Sequence, residues 1–274
     1  MFLIVSGIVK IQHIIGLNFT GIPPQLLCLF CEARTTRAQD AFYSDGSVLF
    51  FSTHQYPWYP GTGAKDERGE GKGSGLIINC PFDEEYRPLF EAMVFAISDC
   101  GFVVRSAMEV DDGSQVRIDK IANIIAECRL GIHDISRTEL DPVAQLPRFN
   151  MPLELGMFLG AKRYGNTRQR QKICLILDRE RYRYQRFCSD IAGQDIRTHD
   201  NDPAVAVRVV RDWLRNALVP PAILLPSGSR IARRYAEFQA DLPLICELIR
   251  LDPDELTFND LTSLISVWLQ ENGW

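Results

Sequence analysis

The sequence has few histidines, no excess of basic residues and no uninterrupted apolar stretch long enough to cross a membrane. Its 274 residues include 4 His, 30 Lys and Arg, and 35 Asp and Glu, which gives a net charge of -5 and a pI near 5.5. Binding to nucleic-acid phosphates requires concentrated Lys and Arg, so a nucleic acid is not the expected partner. We expect a small molecule or another protein instead.

The apolar N-terminal stretch lacks the features of a membrane span. Lys10, Gln12 and His13 interrupt residues 1–19, short of the roughly 20 apolar residues that a spanning helix needs. No basic region precedes the apolar residues, as it would in a signal peptide. We therefore predict a cytoplasmic protein with no membrane segment, in which residues 1–41 form an irregular N-terminal extension.

Metal ligands are also scarce. The 8 cysteines include one C-x-x-C pair, Cys28 and Cys31, with no second pair, and the histidines are far apart in the sequence. Most other cysteines lie in apolar runs, as reduced core thiols do in a cytoplasmic protein. A structural zinc site needs about four ligands. The sequence therefore predicts no metal site, and we expect no cofactor.

A glycine-rich segment at residues 61–75, GTGAKDERGEGKGSG, does not have the spacing of a phosphate-binding loop. Neither GxxxxGK[ST] nor GxGxxG can be placed on it, and no helical pattern follows directly. The segment is predicted to be a flexible, charged loop.

Residues 42–75, including FFSTHQYPWYPGTGAKDERGEGKGSG, resemble an internal segment of the zinc-dependent histone deacetylase and acetoin-utilisation family. In that family the chemistry rests on a paired-histidine motif, an Asp-x-His metal motif and a further metal-binding Asp. The matching segment here contains only His54, and only His13 lies upstream of it. We interpret the segment as a remnant, a fusion or a gene-model artefact, and expect no deacetylase activity.

From residue 76 the chain alternates short apolar runs with segments of helical period. Predicted strands, each a continuous apolar run, cover residues 76–80, 102–104, 130–135 and 173–177. Predicted helices cover residues 84–98, 116–128, 152–163, 181–191 and 203–218. The alternation predicts an α/β domain over 76–218, an open parallel sheet flanked by helices of the flavodoxin or Rossmann-like class.

Residues 219–274 are predicted to form a helical C-terminal subdomain. Apolar residues recur at helical spacing over 229–240, 243–251 and 257–270. Thr257 and Asp260 have the spacing of a capping box at the start of the last helix. Such helices pack on their own domain or on a second copy of the chain. Packing on a second copy would form a homo-oligomer through these helices.

Polar and aromatic residues follow the predicted strands, where parallel sheets bind their ligands. Phe82, Asp83 and Tyr86 follow the first strand, and Arg105 follows the second. Each has an ordinary alternative role. Asp83 could cap a helix, the two aromatic rings could belong to the core, and Arg105 could pair with Glu109.

The third strand ends in Asp134 and Ser136, and the next helix carries Glu154 in its first turn. A first-turn acid often does no more than complement the helix dipole. Here the two carboxylates and the hydroxyl could converge on one small ligand. Asn150 is a suitable N-cap for this helix.

Gly156 and Gly160 lie four residues apart in the same helix. This spacing places them on one helix face, which could approach the sheet closely.

This arrangement, CRLGIHDIS followed by FNMPLELGMFLGA, resembles the nucleoside 2-deoxyribosyltransferase and Toll/interleukin-1-receptor-like (TIR-like) superfamily over about residues 76–218. The resemblance implies that Glu154 attacks or stabilises the anomeric carbon of a nucleoside or of NAD. It also implies that Asp134 and Ser136 hold the sugar. Breaking an N-glycosidic bond creates an oxocarbenium-like centre that a carboxylate stabilises.

The expected substrate-binding residues beside Glu154 are Asp134, Ser136, Asp83, Phe82, Tyr86, Arg105 and Asn150. The resulting prediction is an N-glycosidase or deoxyribosyltransferase-like enzyme that acts on NAD or another nucleotide, with a defence or signalling effector as one role it could have. The alternatives are a non-catalytic nucleotide-sensing module and an inactive zinc-dependent deacetylase fragment. The expected partner is a nucleotide or nucleoside.

Overall fold

The computed structural model describes residues 3–4, 49–50, 75–140, 145–217 and 225–272 of the chain. The chain divides into two compact units, Met1–Ser74 and Gly75–Trp274. In the first unit the described residues form two short parallel strands, β1 (Leu3–Ile4) and β2 (Leu49–Phe50). The C-x-x-C pair, the glycine-rich loop and most of the deacetylase-like segment lie outside the described residues, as does nearly all of the predicted extension.

The second unit is built on a five-stranded parallel sheet. The strands are β3 (Gly75–Asn79), β4 (Val103–Arg105), β5 (Leu130–Asp134), β6 (Ile173–Asp178) and β7 (Ile196–Thr198). Their order across the sheet is β4-β3-β5-β6-β7, and every pair is parallel. The order reverses between β3 and β5, so the crevice beyond their carboxyl ends is the topological switch point where such sheets bind ligands.

Helices cover both faces of this sheet. They are α1 (Arg87–Asp99), α2 (Arg117–Glu127), α3 (Asn150–Tyr164), α4 (Thr167–Arg170), α5 (Pro203–Ala217), α6 (Gly228–Ile249) and α7 (Phe258–Glu271). Helices α1, α5, α6 and α7 share one hydrophobic core with one face of the sheet. Helices α2 and α3 cover the opposite face, where Ile77, Ile121 and Phe158 are buried together.

The burial of α1 explains its composition. Its central residues are almost all apolar and buried, because the sheet lies on one side of the helix and the C-terminal helices lie on the other. Phe95 of α1 contacts the rings of Tyr235, Phe238 and Trp268, with ring centroids 5.5 to 5.7 Å away. The C-terminal helices therefore complete the core of the sheet.

The structure confirms the predicted fold class, an open parallel sheet flanked by helices with further helices at the C-terminus. The capping box at Thr257 and Asp260 is also present at the start of α7. No helix among the described residues is both long enough and apolar enough to span a membrane.

The predicted helix at residues 181–191 is wrong. The segment instead contains two 3-10 turns, Arg183–Arg186 and Ser189–Ile191. Tyr182 has a φ of 62°, in the left-handed region, and this backbone conformation does not continue into an α-helix. The short strand β7 that follows was not predicted.

The predicted break before residue 243 is also wrong, because α6 runs continuously through Pro243. A proline inside a helix removes one backbone hydrogen bond and usually kinks or ends the helix. Here Phe238 and Cys246, on either side of the proline, are buried in the same core. Packing on both sides of Pro243 therefore outweighs the local preference to end the helix.

Candidate functional site

A cleft of about 250 Å³ opens beyond the carboxyl ends of β3 and β5, at the switch point of the sheet. Its lining comes from the loop after β3, the first residue of α2, the loop after β5 and the start of α3. These residues are Cys80, Pro81, Phe82, Asp83, Arg117, Arg137, Arg148, Asn150 and Met151. Three of the predicted binding residues, Phe82, Asp83 and Asn150, therefore line one cleft.

Three arginines give the cleft its charge. Arg117 is exposed at the first position of α2, Arg137 follows β5, and Arg148 precedes α3. Arg137 is held at 2.8 Å from Glu85 and 3.4 Å from Asp83. Asp83 in the lining and Glu85 beside it both pair with Arg137, and the three arginines still outnumber these two carboxylates, so the cleft favours an anionic ligand.

Glu154 lies in α3 beside this cleft, with only 6% of its surface exposed. Burial raises the pKa of Glu154 to about 7, and the positive charge of Arg117 opposes that rise. The charge of Glu154 also contributes to a raised pKa of the Cys80 thiol, although burial is the larger cause. A carboxyl group with a pKa near neutrality is suited to proton transfer, whereas Cys80 stays protonated.

Asp134 is fully buried and bonded to the protein on both oxygens. The Tyr86 hydroxyl donates to Oδ2 at 2.6 Å, and the backbone N–H of Ser136 donates to Oδ1 at 2.7 Å. His199 Nε2 lies 2.9 Å from Oδ2, but its N–H is not aligned for a hydrogen bond. His199 Nδ1 accepts from the Asn201 backbone, so a neutral ring carries its proton on Nε2.

Two buried polar atoms at the same sheet edge have no hydrogen-bond partner among the described residues. They are Oγ of Ser136 and Oδ1 of Asn79, the last residue of β3. The side-chain nitrogen of Asn79 contacts Nδ1 of His133 at 3.2 Å and donates to the Met151 carbonyl at 3.3 Å. Buried polar atoms of this kind usually bind an ordered water or a ligand.

A second buried network joins the ends of β5 and β6. Arg183 donates through Nε to Oδ1 of Asp178 at 2.7 Å and through Nη2 to the Ile135 carbonyl at 2.8 Å. Burial raises the pKa of Asp178, and the hydrogen bond from Arg183 lowers it. The sequence places Asp178 at a strand end, but it does not indicate that Arg183 would fold back onto it.

Arg105 does not line the cleft. It ends β4 and donates to Glu109 at 2.6 to 3.0 Å and to Glu127 at 2.8 Å. These hydrogen bonds raise the pKa of Arg105. The pairing with Glu109 is the ordinary alternative that the sequence left open. The ligand-binding roles of Asp134, Ser136, Tyr86 and Arg105 stay predictions.

Helix α3 departs from its prediction in three details. Glu154, predicted in the first turn, is the fifth residue of the helix and lies beyond that turn, because the helix starts two residues earlier than predicted. The helix begins at Asn150, and its N-cap is Phe149, which makes no side-chain capping bond. A Cβ atom added to Gly156 or Gly160 would meet nothing within 4 Å. These glycines therefore face open space and do not bring the helix close to the sheet.

Sequence reasoning missed Arg117 and Cys80 as lining residues. Cys80 directly follows β3, and Arg117 opens the helix after β4. Both positions border the switch point, but the strand order is needed to know this. Among the described residues, no group of three or more His, Cys, Asp and Glu side chains could hold a metal ion.

Comparison with known proteins finds similarity to deacetylases over one part of the chain. Residues 38–100 match the model of the histone deacetylase domain family. A probable deacetylase of Archaeoglobus fulgidus is 46% identical over 61 residues, which cover 20% of this chain and 17% of that protein. Histone deacetylase 14, chloroplastic, of Arabidopsis thaliana is 42% identical over 60 residues, which cover 20% of this chain and 14% of that protein.

A third relative, histone deacetylase 10, chloroplastic, of Oryza sativa subsp. japonica, is 50% identical over 42 residues, or 15% of this chain and 10% of that protein. The chain thus spans less than a fifth of the length of each of these relatives. No solved structure matches the chain. The family match runs past the predicted segment 42–75 and includes β3 and α1 of the second unit.

These comparisons correct the functional prediction. The resemblance to deacetylases is found, whereas nothing supports a resemblance to nucleoside deoxyribosyltransferases or TIR-like proteins. The prediction of an N-glycosidic-bond enzyme acting on NAD or a nucleotide is therefore wrong, and so is the nucleotide-sensing alternative.

Proposed function

We propose that the second unit binds a small anionic molecule, with a carboxylate or phosphate-like group, in the cleft at the switch point. We also propose that the charge of Glu154, beside the cleft, controls how tightly that ligand binds near neutral pH. One observation carries the proposal: Arg117, Arg137 and Arg148 come from three separate segments and line one cleft beyond β3 and β5. A planar guanidinium group can donate two parallel hydrogen bonds to such an anion.

Sulfate is a suitable first probe, because its charge does not change near neutral pH. We expect saturable binding of sulfate by isothermal titration calorimetry, weakening as ionic strength rises. Arg117→Gln should weaken this binding roughly tenfold or more, the loss expected for a hydrogen bond to a charged group. Because Arg117 is exposed, its loss should leave folding intact.

The matched control is Arg233→Gln. Arg233 lies on α6, and its side chain is exposed and 3.7 Å from Glu237, an ion pair that contributes little. This variant should bind sulfate like the wild type. The anion site is refuted if sulfate does not bind, or if the two arginine variants bind it equally well.

The role of Glu154 has its own test. An ionised Glu154 beside the cleft repels an anion, so sulfate affinity should fall as pH rises through about 7. Glu154→Gln should bind sulfate with little pH dependence over the same range. If wild type and variant have the same pH profile, Glu154 does not act on the ligand site.

Hydrolysis of an acetyl group from nitrogen is a second candidate function, which the similarity over residues 38–100 favours. Zinc-dependent hydrolysis needs about three protein ligands. Because the described residues contain no such group, at least one of the ligands would have to come from the rest of the chain. The full chain should then contain stoichiometric zinc and hydrolyse an acetyl-lysine peptide, with loss of activity on chelation. Absence of zinc from the purified protein would exclude this candidate.

Three further expectations stay predictions that no finding tests. They are a nucleotide or nucleoside as a bound molecule, apart from the enzymatic and sensing roles corrected above, the homo-oligomer through the C-terminal helices and the cytoplasmic location. Sedimentation equilibrium of the full chain would test the homo-oligomer directly.

A further inference from the structure

A second cavity, of about 230 Å³, lies beside the cleft and shares Pro81, Phe82 and Asp83 with it. Its other walls come from α1, from Leu256 just before α7 and from Phe258 at the start of α7. This volume suits a ligand smaller than a typical drug, because drug-sized pockets measure about 300 to 1,000 Å³. The proposed anion site does not account for this cavity.

Aromatic rings form two adjoining walls of the cavity. The rings of Phe82 and Phe90 meet at 89° with their centroids 5.7 Å apart. The ring of Phe258 lies 6.1 Å from Phe90 at 37°. Phe82 is 38% exposed and Met108 is 42% exposed, so the cavity is open on that side. Phe90 is only 6% exposed and packs at a right angle on Phe82, so Phe82 is the ring that offers accessible surface to a cation.

The charged residues of the cavity are mainly acidic. Its lining contains Asp83, Glu84 and Glu91 but only one cation, Arg87. Arg87 pairs with Glu91 at 2.7 Å, and its other nitrogens donate to the carbonyls of residues 253 and 254. Arg87 is thus already bound by Glu91 and by two backbone carbonyls. Asp83 lies 3.4 Å from Arg137, which lines the neighbouring cleft, so Glu84 supplies most of the excess negative charge of the lining.

We propose that this cavity binds a small organic ammonium group, with the cation against the exposed ring of Phe82 and near the carboxylate of Glu84. The face of an aromatic ring attracts a cation through its quadrupole, and a nearby carboxylate adds to this attraction. A small anion is disfavoured by the carboxylates, and a neutral apolar molecule does not use them. The proposal does not rest on the anion site, and it holds whether or not the cleft binds sulfate.

Choline is the probe, and 3,3-dimethyl-1-butanol is its neutral isostere. Titration of the full chain should give saturable choline binding by calorimetry or saturation-transfer NMR, with clearly weaker binding of the neutral compound. Phe82→Leu should weaken choline binding about two- to fivefold, the range of one exposed cation–π contact. Glu84→Gln should also weaken choline binding and leave that of the neutral compound unchanged.

The matched control is Glu247→Gln, an exposed glutamate on α6 outside the cavity lining, which should bind choline like the wild type. Circular dichroism melting checks that each variant is folded. If Phe82→Leu does not fold, the exposed Glu84 variant provides the test. The proposal is overturned if choline does not bind saturably, if the isostere binds as tightly, or if neither Phe82→Leu nor Glu84→Gln weakens choline binding.

Discussion

The hydroxyl of Tyr86 donates a 2.6 Å hydrogen bond to Oδ2 of Asp134, and both side chains are buried. This bond connects the loop after β3 with the end of β5, across the switch point of the sheet. Burial raises the pKa of Tyr86 well above its usual value, and the charge of Asp134 adds to the rise. The bond thereby fixes the loop that supplies Cys80 and Phe82 to the cleft.

Tyr86→Phe should destabilise the second unit, because Asp134 would lose a hydrogen bond inside the protein. A hydrogen bond to a charged group contributes about 1.5 to 3 kcal/mol, so the free energy of unfolding should fall by that amount. Urea denaturation at pH 7 measures this change. Tyr164→Phe is the control, because Tyr164 is 84% exposed. Equal unfolding midpoints for the two variants would contradict a structural role for the bond.

Glu154→Gln should change how stability depends on pH. Because burial raises the pKa of Glu154 from 4.5 to about 7, the wild type loses stability as pH rises from 4.5 through 7. Below that pH window the Glu154 carboxyl group is protonated in both the unfolded and the folded state, and its loss of stability disappears. The full penalty is on the order of 3 kcal/mol.

The measurement is the difference in unfolding free energy between Glu154→Gln and wild type, at pH 4.5 and at pH 8. We expect the difference to move in favour of the variant at pH 8. Glu247→Gln, at an exposed position of α6, should show no such trend. A difference that does not vary with pH would show that folding does not raise the pKa of Glu154.

The sequence was sufficient to predict four of the five strands, and the central strands β3, β5 and β6 are largely buried on both faces. All five residues of β5 are buried, and such strands appear as continuous apolar runs. The segment after Asp178 was harder to predict, because its alternating Arg and Tyr residues suit an amphipathic helix. Its conformation depends on Arg183 reaching Asp178, a contact that only the folded chain provides.

The candidate site was predictable only in part, for a related reason. Sequence position places Asp134 at a strand end but does not show that the protein itself surrounds its carboxylate. Nor does it show that β3 lies between β4 and β5, which determines that Arg117 and Arg137 line one cleft. Spacing alone suggested a close approach at Gly156, where the structure has open space.

Gly131→Ala should destabilise the protein, because β5 and α3 are in close contact at this position. A Cβ atom on Gly131 would lie 2.7 and 2.9 Å from two ring atoms of Phe158. Overpacking of this kind typically costs about 1 to 3 kcal/mol, which urea denaturation would detect. Gly156→Ala is the matched control. Its added methyl group meets nothing, and alanine should stabilise α3 by about 0.5 to 1 kcal/mol. Changes in unfolding free energy of the same sign and size in the two variants would contradict this packing.

Arg183→Met should destabilise the protein strongly, because it removes the cation beside a fully buried carboxylate. Arg183 Nε lies 2.7 Å from Asp178 Oδ1, and a second nitrogen of Arg183 donates to the Ile135 carbonyl. Breaking a buried ion pair by removing one partner costs about 3 to 5 kcal/mol. Arg181→Met is the control, because Arg181 is exposed two residues away.

The pH dependence of this loss separates the ion pair from simple packing. Burial already raises the pKa of Asp178, and Arg183 is the main group that opposes the rise. Without Arg183 the carboxyl group should take up a proton at a higher pH, so the destabilisation should shrink as pH falls. Asp178→Asn in the Arg183→Met background should recover part of the lost stability at pH 7, because it removes the unpaired charge. A loss that is the same at pH 5 and pH 8, with no recovery in the double variant, would mean that Arg183 acts through packing alone.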